Sequence, residues 1–326
     1  MRREVVIDDA ALTYSDELKL AGALCNLRAN SHIVGDTLRK WRANNAQEGI
    51  GAFEMQVVTT AESDIGSRRP HFRGLAHLVT ASFGEANIFV FDLARRNVIA
   101  TISEEVAADY SFWDRILLPI TMGVLGPAVG VVPVHAACLT FDGEGMLIAG
   151  DSGAGKSTFS VALAQNGFGY ISDDWSYIAM HSGQITAHGM SVPAKLLPDA
   201  MKHFPALANY SLAPALNEEL AYELSPNELG AQVQLSCEPQ WFFFLERTPE
   251  SGCRLRPVCG EEAERYVERS VERLPPELGE MIRARAAVVD QISRLSCWKL
   301  SYGGPPDTAV RGLRAFLAEQ HQGVTA

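Results

Sequence analysis

The stretch that decides the fold is LIAGDSGAGKSTFSVALAQNGFGYISDDWSYI, residues 147–178. It opens on an apolar run, passes through a glycine-rich turn, and continues into helical spacing before a second apolar run ends at two adjacent aspartates. Gly150, Asp151, Ser152, Gly153, Ala154, Gly155, Lys156 and Ser157 fit the pattern G-x-x-x-x-G-K-[ST], with Thr158 completing the turn into the helix. Average residue usage gives that pattern by chance in roughly one chain in a hundred of this length. The context required by the motif, a strand before it and a helix after it, is present, which favours the specific reading over a flexible glycine turn. Glycines let backbone N–H groups converge on phosphate oxygens, and the helix N-terminus adds favourable partial charge. Lys156 then reaches the β- and γ-phosphates of ATP, and the Ser157 hydroxyl ligates Mg²⁺.

Asp173 lies 17 positions after Lys156, far enough for one helix and a returning strand. That spacing predicts the carboxylates of Asp173 and Asp174 at the C-terminal edge of a sheet, beside the loop. Neighbouring side chains on a strand point to opposite faces, so both acids reach the site only if the strand ends here. An ATPase needs one carboxylate for its metal; a kinase also needs a base for the acceptor hydroxyl. Two solvated loop acids are the alternative. His135 opens the strand pair that feeds the loop, and on the residues alone its apolar neighbours fit a packed core histidine more than a site residue.

Outward from that core, VHAACLTFDGEGMLIAG (134–150) reads as two strands joined by an Asp-Gly turn, and KSTFSVALAQ (156–165) as a helix stopped by Asn166-Gly167. WSYIAM, GQITAHG, QWFFFLER and CWKLSYG have strand character. EEAERYVERSVERL, PELGEMIRARAAVVDQISRL and TAVRGLRAFLAEQ have helical spacing. In the N-terminal part, AHLVTASF (76–83) and ANIFVFDLARRNVIATIS (86–103) predict strands, the latter a hairpin turning near residues 95–97. SDELKLAGALCNLRANS (15–31) and VGDTLRKWRANN (34–45) permit helix. The expected division is an N-terminal β-rich α+β domain over 1–130 and an α/β domain over 131–326.

The 326 residues carry a formal charge of −11 with no basic run, which argues against nucleic acid or an anionic membrane as the main partner. Residues 116–139 hold no Asp, Glu, Lys or Arg, yet three prolines and three glycines interrupt them, so a buried helix, a loop and a core strand are expected instead of a membrane span. The six cysteines are scattered without a C-x-x-C pair, which predicts reduced, mostly buried thiols and no zinc site. The opening MRREVVIDDA lacks the apolar core of a signal peptide, and a cytoplasmic location is the expectation.

PVHAACLTFDGEGMLIAGDSGAGKST and GYISDD together resemble the catalytic domain of HPr kinase/phosphorylase, closely over 133 to about 180 and loosely over the rest of the C-terminal half. The resemblance implies the phosphate-loop fold shared with ATP-dependent phosphoenolpyruvate carboxykinase. It further implies ATP and Mg²⁺ as cofactors, and His135 in the site near Asp173. In that reading Asp173 is the base and Asp174 joins Ser157 around Mg²⁺, with the reverse assignment of the two acids open. The glycine-rich, arginine-containing signature that follows the aspartates in HPr kinases is replaced here by HGMSVPAKLLPDAMKHFP. The resemblance therefore does not extend to HPr recognition, the reverse reaction or hexamer formation. The acceptor it implies is a protein, a peptide or a small molecule, and assembly into a homo-oligomer is compatible with it. Lys195, Arg247, Arg254 and Arg256 are lesser candidates for stabilising transferred charge. Two other functions fit the same loop: a nucleotide-gated interaction module without catalysis, and a carboxykinase, for which neither a metal-ligand set nor a substrate arginine cluster is apparent.

Overall fold

The structure is a computed structural model and describes residues 12–43, 51–61, 68–190, 192–214, 219–225, 227–228, 230–274 and 278–324. The fold is mixed α/β with several sheets, and the chain divides into two compact units. One unit takes Met1–Val132 and Leu274–Ala284; the other takes Pro133–Arg273 and Arg285–Ala326. The short return segment Leu274–Ala284, grouped with the first unit, has no counterpart in the sequence reading. The signal-peptide reading of MRREVVIDDA lies outside the described residues.

The first unit is built on a seven-stranded sheet. Its first two strands, Tyr14–Leu20 and Ala23–Ala29, form an antiparallel hairpin where the sequence reading permitted helix. Burial explains the difference, because Leu18, Leu20, Ala23, Cys25, Leu27 and Ala29 are all inside, a period of two along each strand. The turn rests on Ala21 at φ 47° and Gly22 at φ 86°, the geometry of a two-residue hairpin turn whose Ala-Gly sequence is a poor signal for it. The helix expected over 34–45 is a helix at His32–Thr37 followed by a 3₁₀ turn at Arg39–Trp41, with residues 44 and 45 outside the described set. Ile88–Asp92 and Asn97–Ser103 form the expected hairpin, turning through Arg96 at φ 54°. Trp41 and Trp113 are both core residues. One helical stretch among the described residues, Tyr110–Val129, is long and apolar enough to cross a membrane, and 72% of its most apolar 18-residue window is buried inside the protein.

The second unit carries the motif. Its seven-stranded sheet has the order Gln232–Val233, Gly169–Ser172, Ala137–Phe141, Glu144–Gly150, Pro239–Arg247, Ser296–Gly303, Gly252–Pro257. The Asp142-Gly143 turn has both residues at positive φ and joins Ala137–Phe141 to Glu144–Gly150 as an antiparallel hairpin. Gly169–Ser172 runs antiparallel to Ala137–Phe141, and so runs the same way as Glu144–Gly150 one strand further on. Pro239–Arg247 and Ser296–Gly303 are parallel to Glu144–Gly150. Four strand ends, at Gly150, Ser172, Arg247 and Gly303, therefore open on one edge of the sheet. This is the edge where open α/β sheets bind ligands.

The strand Pro239–Arg247 lies between two parallel neighbours, and this explains its near-continuous apolar run WFFFL. Phe243, fully buried between Ile148 and Trp298 in register, joins the core that supports the loop. Phe243→Ala should destabilise the second unit by about 3–5 kcal/mol, read as a lower denaturant midpoint. An unchanged midpoint would contradict this packing.

Candidate functional site

The loop after Glu144–Gly150 turns directly into the helix Lys156–Gln165, so the phosphate-loop pattern occupies the strand–turn–helix context it requires. Gly153 at φ 79° and Gly155 at φ 86° supply the two left-handed positions of the turn. Gly155 is also sterically fixed, because a Cβ there would lie 2.6 Å from the Tyr302 hydroxyl. Asp151, Ser152 and Gly153 are exposed, Ala154 is buried beneath them, and Ser157 and Thr158 are half-buried on the first helical turn. Asp151 forms an ion pair with Arg269, whose guanidinium lies over the Phe244 ring.

Lys156 is the only charged residue of the loop drawn inside, at 8% exposure. Its ammonium donates to the Gly150 carbonyl oxygen at 2.9 Å, curling back over the loop. Burial pulls its pKa below the ordinary lysine value, and the charges of Asp174 and Asp151 oppose that shift. A buried cation with three donors at the start of a helix has the chemistry to meet an anion.

The strand Gly169–Ser172 stops immediately before the aspartates, as required if both are to leave the sheet. Ser172 and Ser176 clamp the turn: their hydroxyls lie 2.7 Å apart, and Ser176 donates to the Ala136 carbonyl at 2.7 Å. The two acids then part company. Asp174 is exposed, and one of its oxygens lies 2.9 Å from Nε2 of His135. The His135 ring stacks on Trp175, with centroids 5.2 Å apart and planes at 21°. Asp173 is 6% exposed. It accepts hydrogen bonds from the Tyr170 hydroxyl at 3.1 Å and from the Lys195 backbone N–H at 3.3 Å. Burial, with the neighbouring Asp174 charge, pushes its pKa up to about 7 against those hydrogen bonds.

His135 is thus paired with Asp174, where the sequence-based expectation put it near Asp173. Of the lesser candidates, Arg247 lies against the loop, its guanidinium 4.5 Å from the Tyr302 ring centroid and one nitrogen donating to the Gly304 carbonyl. Lys195 pairs with Glu219, Arg256 with Glu262, and Arg254 is exposed on its strand. Four residues of this site escaped the sequence reading: Tyr170, Trp175, Arg269 and Tyr302. Tyr302 is 1% exposed, and its hydroxyl has no hydrogen-bond partner among the described residues. Helix docking and strand pairing bring in Arg269 and Tyr302, whereas Tyr170 and Trp175 lie beside the aspartates in the sequence but are not residue types the motif pattern calls for.

Among the described residues no three His, Cys, Asp or Glu side chains group as metal ligands. A nucleotide-bound Mg²⁺ takes only one or two protein ligands alongside phosphate oxygens and water. Ser157 and Asp174 are of the right chemistry for that smaller set.

The raised pKa of Asp173 fixes a sign. A carboxyl with a folded pKa near 7 and an ordinary unfolded value contributes stability at low pH, and that contribution is lost as pH rises through about 7. Asp173→Asn mimics the protonated acid, so from about pH 4 to pH 8 the wild-type protein should lose stability relative to the variant, by on the order of 4 kcal/mol in all. Parallel stability–pH curves for the two proteins would contradict the buried, raised carboxyl.

No family model matches the chain, and no curated protein matches it. One solved structure similar to it is the Hpr(Ser) kinase/phosphatase from Coxiella burnetii, at 15% identity over 58% of this chain and 95% of that one, with a TM-score of 0.28. A likeness at that level carries no argument about this chain, and the reading of the site rests on its own geometry.

Proposed function

We propose that the chain is an ATP-dependent phosphotransferase that moves the γ-phosphate to a hydroxyl, such as a serine, of a protein, peptide or small-molecule acceptor. One observation carries the proposal: the glycine loop with its buried Lys156 ammonium and the Asp173-Asp174 turn open on the same sheet edge. Loop N–H groups and Lys156 hold the phosphates, with the lysine exchanging the Gly150 carbonyl for phosphate oxygen. Ser157 and Asp174 would hold a Mg²⁺, which would supply charge neutralisation at the transferring group. His135 holds the Asp174 carboxylate through its Nε2, and Trp175 fixes the imidazole plane by stacking. Asp173, with its pKa near 7, is matched to taking a proton from an acceptor hydroxyl at neutral pH.

The burial of Asp173 favours a second reading, a nucleotide-gated module, since binding ATP needs Lys156 and Ser157 but no base. Asp173→Asn separates the two. A kinase variant keeps ATP binding and loses transfer; a module keeps full function.

Transfer from γ-labelled ATP with Mg²⁺, run with purified protein in an extract of its source cells, tests the proposal. A labelled acceptor should appear, and Lys156→Ala should reduce its labelling by about 100-fold or more. ATP binding with no labelled product would overturn the kinase reading in favour of the module.

A further inference from the structure

The six cysteines are not all isolated in space. The sulfurs of Cys138 and Cys237 lie 3.5 Å apart, in van der Waals contact, although 99 positions separate them in the chain. Cys138 is the second residue of Ala137–Phe141, opposite Leu147 on one side and Ser172 on the other. Cys237 ends the short strand Ser236–Cys237 and pairs with Ala187 in a different, four-stranded sheet. The two thiols thus meet where one sheet faces the next.

Room for the pair is built into the backbone. A Cβ on Gly145 would fall 2.5 Å from the Cys237 sulfur and 2.6 Å from the Glu238 carbonyl oxygen. A side chain at position 145 would displace the Cys237 thiol, so the glycine seats it. Cys138 is buried and Cys237 is half-buried, so an oxidant from solvent reaches Cys237 first. The contact with Cys237 and burial hold the Cys138 thiol well above its ordinary pKa.

We propose that Cys138 and Cys237 are a disulfide-forming site that, on exposure to a peroxide, covalently joins the seven-stranded sheet to the four-stranded sheet. The Cys237 thiolate attacks one peroxide oxygen; the O–O bond breaks, hydroxide leaves and takes a proton, and Cys237 becomes a sulfenic acid. The Cys138 sulfur then attacks the Cys237 sulfur as its thiol proton is lost; the S–S bond forms, the S–O bond breaks, and water leaves. In total two thiols are oxidised by two electrons and one peroxide is reduced to two waters. A disulfide has sulfurs about 2.05 Å apart, so the pair must close by about 1.5 Å.

One end of the bond is on the strand between the one that feeds the loop and the one that leads to the aspartate turn, since Cys138 is in register with Leu147 and with Ser172, the residue before Asp173. The proposal is independent of any phosphotransfer. The test treats the folded full-length protein with hydrogen peroxide, alkylates the remaining thiols, and maps peptides without reduction. The expected result is a cross-linked peptide pair holding Cys138 and Cys237, a mass loss of two hydrogens, reversal by dithiothreitol, and a higher Tm for the oxidised form. In Cys237→Ser the cross-link should vanish and Cys138 should remain a thiol. Oxidation of Cys237 to sulfinic or sulfonic acid without the cross-link, a cross-link between other cysteines, or no thiol loss would each overturn the proposal; the map on the wild-type protein decides even if the variant fails to fold.

Discussion

The site depends on the cost of burying one ammonium. Lys156 is drawn to 8% exposure at the first turn of its helix and hydrogen-bonds a single loop carbonyl. A buried cation is expensive unless paired. Here the nearby compensation comes from the fields of Asp174 and Asp151, both on the exposed side of the loop. Asp151 is itself engaged by Arg269, and Asp174 by His135. The arrangement leaves a lysine ammonium bound to one carbonyl at the start of a helix, and that is an electrostatic setting that favours a phosphate.

The fold meets this condition through chain direction. Three parallel strands, Glu144–Gly150, Pro239–Arg247 and Ser296–Gly303, end together, and Gly169–Ser172 ends with them across one antiparallel neighbour. Residues far apart in the chain therefore converge: Lys156 from the loop, Asp173 and Asp174 from the clamped turn, Arg247 and Tyr302 from the far strands. The aromatic stack of Phe159 on Tyr302, centroids 5.6 Å apart, ties the helix carrying Lys156 to the strand that crowds Gly155. Burial then differentiates the acids. Asp173 is placed in a pocket of Tyr170 and the Lys195 backbone, while Asp174 is left in solvent against an imidazole.

Much of this was legible in the sequence, for identifiable reasons. Gly155, a fixed position of the loop pattern, takes a positive φ that no other residue takes cheaply, so there pattern and conformation are nearly the same information. The Asp142-Gly143 hairpin and the helix Lys156–Gln165 with its Asn166-Gly167 stop follow from local chemistry in the same way. The hairpin at Ala21-Gly22 was not legible, because an alanine at positive φ carries no turn signal and LKLAGAL fits either period. The different fates of Asp173 and Asp174 were not legible either. Strand alternation says only that neighbours diverge; which one sinks is decided by Tyr170, Ser172 and Ser176, set by long-range pairing. The Cys138–Cys237 contact, 99 positions apart, belongs to the same class, invisible to spacing and fixed by sheet packing.

The central claim is that the loop and its buried lysine hold a triphosphate. Calorimetric titration of the protein with Mg²⁺–ATP and with AMP, repeated on Gly155→Ala, tests it most directly. Gly155→Ala forces a Cβ onto the Tyr302 hydroxyl at a φ of 86° and so deforms the cradle without removing a charge. The account predicts that the wild-type protein binds ATP, that AMP binds about 100-fold more weakly for want of the β- and γ-phosphate contacts, and that Gly155→Ala loses the preference. Equal affinity for ATP and AMP, or an unchanged preference in Gly155→Ala, would contradict it.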